Sequence, residues 1–351
     1  MPADASQLGY TTMTDVINSY SSSDARAQFV QPAKVLARAC PLLEFLPFVP
    51  ANNMLFNVAR RTDYLDVPAT RRFNEAAVIT NSKNTNITDD IAMWENWDVQ
   101  DAAFADLQPD PSAYMSDQIS NKIEGFKQKI ESVLFYGNPA TDLGGIRGLA
   151  TRINNLESVP NGDGSWPANA YNGGLTSGNS TSIWAIEFGK DKVQAIYPAG
   201  SPAGLEINTI GKVPWTMATA LSGVLGQSRA LMAYVTQCKW SLGLQIVDER
   251  CAQRVANVNP VPMQAGGFDE NLLIQALGNL PGAGNAPGTV ILCSRAILNE
   301  MNIRAVSQKT NGYYTQNAET GDIWGSRRIT RFQGIQVVMA EKISNSETTI
   351  S

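Results

Sequence analysis

The 351-residue sequence contains no histidine. That removes Ser-His-Asp and Cys-His catalysis, His-ligated zinc and the His-carboxylate iron triad in one step. Cysteine is scarce as well: Cys40, Cys238, Cys251 and Cys293 are far apart with no CxxC spacing. Neither a zinc knuckle nor a disulfide framework is indicated, and buried free thiols are expected. No apolar run approaches the ~18–20 residues that a membrane-spanning helix needs. The start, MPADASQLGYTTMTD, has no basic segment and no apolar segment, so no secretory signal is expected. Excess positive charge is also missing. With 27 Lys and Arg against 32 Asp and Glu the net charge is −5, which gives no broad attraction to nucleic acid or to an anionic membrane. Nucleotide cradles are absent too. Gly144, Gly145 and Gly148 match neither GxGxxG nor GxxxxGK, and PGAGNAPG (281–288) is interrupted by Pro287. NGDG (161–164) lacks the ligand ladder and closing Glu of a calcium loop. No cofactor and no metal are expected.

A folded, soluble composition remains, 43% hydrophobic and 17% charged, in a chain long enough for two domains or for one domain with large extensions. Its most organised stretch is Asp110–Gly137. Asp110 suits an N-cap and Pro111 the first helical position. Met115, Ile119, Ile123, Phe126, Ile130 and Val133/Leu134 recur at three- and four-residue steps as one apolar stripe. Lys122, Lys127, Lys129 and Glu131 fall off that stripe, with Lys127 and Glu131 one turn apart. Gly125 is a weak point and Gly137 a stop. At ~1.5 Å per residue the helix over 111–136 is roughly 39 Å long. On spacing alone it suits the core helix of an ordinary α+β enzyme.

Residues 1–50 read as an arm. Short helical pieces are expected from Thr14 and over Asp24–Ala39, followed by CPLLEFLPFVP (40–50), whose prolines predict extended apolar chain. Such chain needs a surface to lie on, from its own fold or from a neighbour. Residues 53–98 read as two long strands without a core, dense in mixed charge: Arg60, Arg61, Asp63, Asp66, Arg71, Arg72, Glu75. With about 18 residues a leg at ~3.3 Å, such a hairpin reaches about 60 Å. A lone ribbon of that kind is unstable in water, so it must lie on something; an edge hairpin of a larger sheet is the plainer alternative. Strands are expected at 182–188, 213–221, 229–247 and 289–293, helices at 268–280 and after Ser294, and a final strand pair turning at Gln333-Gly334.

This order of parts, with SVLFYGN (132–138), GIRGL (145–149), SIWAIEFG (182–189), IYPAGSPAGLE (196–206), WSLGLQIVDERCAQRVANV (240–258), TVILCSRAILNEM (289–301) and FQGIQVVMAEKI (332–343), resembles the major capsid proteins of tailed bacteriophages, in particular a subgroup seen in short-tailed and related phages. Those proteins share the Hong Kong 97-type fold with encapsulins. The resemblance implies an α+β fold with an N-terminal arm (1–52), an extended β-hairpin loop (53–98) and a peripheral domain (99–155) carrying a spine helix (111–136). An axial α/β domain (156–320) and return strands (321–351) complete it. It also implies that the seven charged loop residues named above contact a neighbouring subunit, while Ile119, Ile123, Phe126 and Ile130 form the spine-helix core.

The function so implied is structural. Copies of the chain would assemble into pentamers and hexamers of an icosahedral shell enclosing double-stranded DNA without sequence-specific binding. Scaffolding, decoration and portal proteins are the further partners such a shell takes. It would be built in the host cytoplasm and found in the virion, with no membrane contact and no enzymatic activity. A ribbon without a core and an apolar arm without a home are liabilities in a monomer, but in a shell each copy supplies the next one's missing surface. The net acidic charge suits a container that must not grip its DNA. Two alternatives stand beside this reading: an encapsulin-like compartment, and a hydrolase or lyase using Asp89-Asp90 or Asp248-Glu249. Those acidic pairs are better read as ion-pair partners across interfaces.

Overall fold

A computed structural model describes residues 40–51, 55–63, 70–74, 76, 83–108, 110–142, 145–157, 167–218, 228–307, 314–315 and 331–351. The helical pieces expected before residue 40, and Asp66 and Glu75 of the charged loop, lie outside the described residues. In chain order the elements begin α1 (Leu42–Phe45), β1 (Phe48–Ala51), β2 (Leu55–Asp63), β3 (Lys83–Asp90), β4 (Ala92–Asp101), α2 (Ala102–Asp106), α3 (Pro111–Tyr136) and α4 (Leu149–Arg152). Strands β5 (Ala170–Asn172), β6 (Thr181–Glu187), β7 (Val193–Pro198), β8 (Glu206–Ala218), β9 (Ser228–Ile246) and β10 (Ala252–Val258) follow. The last elements are α5 (Glu270–Gly278), β11 (Thr289–Cys293), α6 (Arg295–Ser307), β12 (Tyr314–Thr315), β13 (Arg331–Phe332) and β14 (Ile335–Met339). They divide into two compact units, the first containing residues 93–129 and 204–241, the second 38–92, 130–203 and 242–351.

Helix α3 starts and stops for identifiable reasons. Asp110 Oδ1 accepts from Ala113 N at 3.0 Å, which satisfies a donor that the helix leaves open. At the other end Gly137 N donates to Val133 O at 2.7 Å, and Gly148 N donates to Gly137 O at 2.9 Å. A Cβ on Gly137 would sit 2.4 Å from Ile146 O, so close approach of GIRGL demands glycine there. Glu131 lies off the apolar stripe and yet is turned inward. It has no solvent exposure and accepts from Leu42 N at 3.5 Å, while Lys127 pairs with Glu124 at 3.4 Å.

The second unit holds a seven-stranded sheet in the order β12-β13-β14-β11-β6-β10-β5. Every residue of β6 is buried, as the centre of a sheet covered on both faces requires. Ile183, Ala185 and Ile291 of the sheet pack with Phe268, Leu273, Leu277, Ile297 and Met301 from the α5–α6 region. Each large apolar side chain so buried contributes about 1.5–3 kcal/mol. Gln333 (φ 49°) and Gly334 (φ 83°) form the two-residue turn between β13 and β14, the twist that antiparallel strands prefer.

The largest buried polar cluster of this unit is densely partnered, although Thr181 Oγ1, Trp184 Nε1 and Ser294 Oγ are buried without a hydrogen bond. Arg254 sits over the Trp184 ring at 5.1 Å and donates to Glu347 Oε2 (2.8 Å), Ser182 Oγ (3.0 Å) and Ile153 O (2.6 Å). Tyr136 OH donates to Glu347 Oε1 at 2.5 Å and accepts from Ser344 N at 2.8 Å. Burial, reinforced by the Glu347 carboxylate, pushes the Tyr136 phenol far above its ordinary range. All four cysteines are buried and unbridged; burial lifts Cys293, and burial with nearby Asp248 lifts Cys251, each to about 12.

Two strand readings are corrected. CPLLEFLPFVP is not extended throughout, because Pro41 occupies a helix N-terminus, where its missing N–H costs nothing, and Leu42 is fully buried. Phe45 then stacks on Phe188 at 6.2 Å, and β1 pairs in parallel with β7. The apolar stretch therefore finds its surface within its own chain. The long return leg is also not one strand. It divides at Ile91, which is buried with Ala51 and Ile196; β3 pairs with β2, whereas β4 pairs with β9. Among the described residues the paired ribbon is about 30 Å long.

In the first unit β8 and β9 are antiparallel, running from Glu206↔Lys239 to Ala218↔Ser228, with a bulge at Gly211 (φ 95°). Tyr114 OH donates to Gln100 Oε1 at 3.2 Å, and Phe104 meets the Tyr114 ring edge-on at 6.1 Å.

Candidate assembly surfaces

Among the described residues the ribbon β2–β3 has two strands and no third. Thr88 Oγ1 donates to Asn57 Oδ1 across it at 2.6 Å, and residues 84–86 and 88 are exposed. Such a pair is marginal on its own. Its root is fastened. Asp89, 6% exposed, is paired with Arg152, which also donates to Leu244 O at 3.0 Å and to Arg147 O at 3.1 Å. Burial raises the Asp89 carboxyl above its ordinary range against the opposing pull of Arg152. Asp248 accepts a two-toothed contact from Arg250, the shorter arm 2.7 Å. Both arginines belong to the same chain, so Asp89 and Asp248 pair within the subunit rather than across an interface as expected.

The charged loop residues are only partly brought together. Arg60 lies opposite Thr85, Arg61 opposite Asn84 and Asp63 opposite Lys83 in the ribbon register. Arg71 and Arg72 are exposed in the connecting segment. Between them and Asn74 (φ 65°) is Phe73, fully exposed at 100%. Counting charges along this loop passes over Phe73. The signal that finds it is a lone aromatic in a polar stretch with no apolar neighbour at strand spacing.

The spine stripe is covered unevenly. Phe126 and Ile130 are buried, Ile119 is half-buried, and Ile123 is 39% exposed. Ile123 is therefore not a core residue of this chain: the described strands leave that part of the stripe uncovered. The same unit exposes Met93, Leu107, Ile207, Ile210 and Met232, and Trp97 lies 5.8 Å from Trp215. Strand β8 carries exposed residues from Glu206 to Ile210 and pairs, among the described residues, only through β9. A long edge of this kind invites another chain. Its charged groups stay wet: Asp106 accepts from Lys212 Nζ (2.7 Å) and Tyr234 OH (2.9 Å), hydrogen bonds that hold its carboxyl below the usual range.

Between α3 and the strands of this unit is a groove of about 290 Å³, lined by Met115, Ile119, Tyr234, Thr236, Gln100 and Asp98 among others. Asp98 is the one charged group in the lining; Gln100 Nε2 and Lys122 Nζ approach its Oδ1 at 3.0 and 3.9 Å. A second cleft of about 280 Å³ lies along the same helix and is lined by Trp94, Phe126, Glu95, Lys122 and Lys129 among others.

Comparison with known proteins follows the same direction. The family model for major capsid protein GP7 matches residues 24–351. A subunit from the near-atomic structure of bacteriophage Epsilon15 is 20% identical, with 97% of each chain covered and a TM-score of 0.65. A subunit of the bacteriophage JBD30 capsid is 10% identical, with 92% of this chain and 97% of that chain covered and a TM-score of 0.50. No curated protein matches the chain.

Proposed function

Because this chain belongs to the major capsid protein GP7 family, we propose that its copies close, as pentamers and hexamers, into an icosahedral shell around double-stranded DNA. The fold is α+β of the Hong Kong 97 type, and the protein's place is the virion capsid. Its role is structural. The observation that carries the proposal is the ribbon β2–β3: a two-stranded, largely exposed element, rooted by a buried ion pair, is built to rest on another molecule. In this reading residues 1–52 are the arm, 53–98 the extended loop, 99–155 the peripheral domain, 156–320 the axial domain and 321–351 the return strands. Arg60, Arg61, Asp63, Asp66, Arg71, Arg72 and Glu75 meet the neighbouring subunit. Host cytoplasm is where assembly occurs, and scaffolding, portal and decoration proteins are its further partners.

The matched family is that of a capsid protein, which favours the viral shell over a cargo compartment. The test is to express the chain alone and image it by negative-stain electron microscopy, then assay the particles for nuclease-protected DNA. Closed shells of uniform diameter are expected. Monomers at every concentration and salt level would overturn the reading.

A further inference from the structure

We propose that Phe73 of one copy inserts its ring into the groove beside Met115 and Ile119 of an adjacent copy, with Arg71 or Arg72 reaching Asp98 at its wall. This rests on the shell reading above and names the site that receives the loop.

Four observations meet here. Phe73 is fully exposed, so its own chain does not house it. The groove is the right size: about 290 Å³ against the ~150 Å³ in which an apolar cavity takes up benzene. Charge favours one of the two clefts, because the groove's charged lining group is the Asp98 carboxylate, whereas the other cleft sets Lys122 and Lys129 against the single carboxylate of Glu95 and is net positive. Like charge facing the two arginines disfavours the latter. Finally, Met115 and Ile119 continue the helix stripe that the chain leaves partly open, so a visiting ring completes a surface already apolar. An aromatic anchor beside arginine is the composition that dominates binding energy at protein interfaces. Loop and groove are built from different residues, so the contact is heterologous, the kind that generates a ring when its rotation closes.

The test uses the full chain with Phe73→p-benzoylphenylalanine, which keeps an aromatic ring, in shells assembled from mixed light and heavy isotope-labelled subunits. Irradiation should give light–heavy cross-links that map to residues 112–119 or to Thr209 and Thr236, and dissociated subunits should give none. In parallel, Phe73→Ala should leave the circular dichroism unchanged and lower shell yield more than tenfold, with Phe73→Trp restoring it. Cross-links that map to 121–129, or intact shells with full yield from Phe73→Ala, would overturn the docking while leaving the shell reading in place. Absence of shells from the wild-type chain would overturn both.

Discussion

The last turns of α3 and its first turns continue one apolar stripe, yet they end in opposite conditions. In the second unit Ile130 and Leu134 are sealed from solvent and Phe135 lies 6.4 Å from the Trp184 ring. In the first, Ile119 is half-buried and Ile123 exposed. Charges follow the same division. Arg254 and Glu347 are buried and fully engaged, while Lys212 and Asp106 pair in open solvent. Helical periodicity states which side of a helix is apolar, and says nothing about whether the cover comes from the same molecule. The first unit leaves part of its apolar stripe in solvent, whereas the sheet of the second unit is sealed by its own chain.

That contrast can be broken most forcefully at Arg254. Arg254→Ala strands Glu347 without its counter-charge, and breaking a buried pair typically costs about 3–5 kcal/mol. Soluble yield and the urea midpoint should both collapse; a near-wild-type midpoint would mean the second unit does not depend on this pair. Next comes the helix itself. Ile130→Ala should cost about 2–5 kcal/mol, whereas Ile123→Asp should fold with a midpoint near that of the wild type. Paired denaturation curves decide this, and equal losses at both positions would erase the difference between the two ends. Third, Arg71→Glu with Arg72→Glu should leave the spectrum and stability of the subunit unchanged but abolish shells or make them strongly salt-dependent, since screening acts over ~8–10 Å. Particle counts by electron microscopy across a salt series are the check, and normal shells at every salt level would detach these arginines from assembly.

The smallest effect concerns pH. Asp89 has its folded pKa raised above 3.8, chiefly by burial, so the native state holds this proton more firmly than the unfolded chain. Its contribution to stability therefore falls as pH rises through the window that opens at 3.8 and closes at the raised value. Asp106 has the opposite sign: lowered by its hydrogen bonds from Lys212 and Tyr234, it supports the fold above 3.8 and loses that support as pH falls through its folded value. Carboxyl titration by nuclear magnetic resonance should find the two displaced in opposite directions. Shifts of the same sign would show that the ribbon root is as wet as the first unit's surface.

Much of this was legible in the residues. Pro111–Tyr136 and Thr289–Cys293 appear with the boundaries that spacing and capping predict, and Gln333-Gly334 turns where expected. These features are governed by local rules. What sequence could not show depended on distant partners: Glu131 is buried because Leu42 N reaches it, and Ile91 splits the return leg because Ala51 and Ile196 receive it. Phe73 was missed because a lone aromatic has no periodicity. The loop's arginines were visible as charges, but a charge pattern alone does not name the groups they meet.

The Arg254–Glu347 pair also has a consequence in time. The two residues are 93 positions apart, so a growing chain must add that many residues before the arginine can be neutralised. At ~5–20 residues per second this takes about 5–20 s. Throughout that interval the first unit, all of whose residues precede Arg254, already exists with its exposed apolar side chains. Order of synthesis thus acts as a clock: the residues of the first unit are made early, and the carboxylate that neutralises Arg254 is made last.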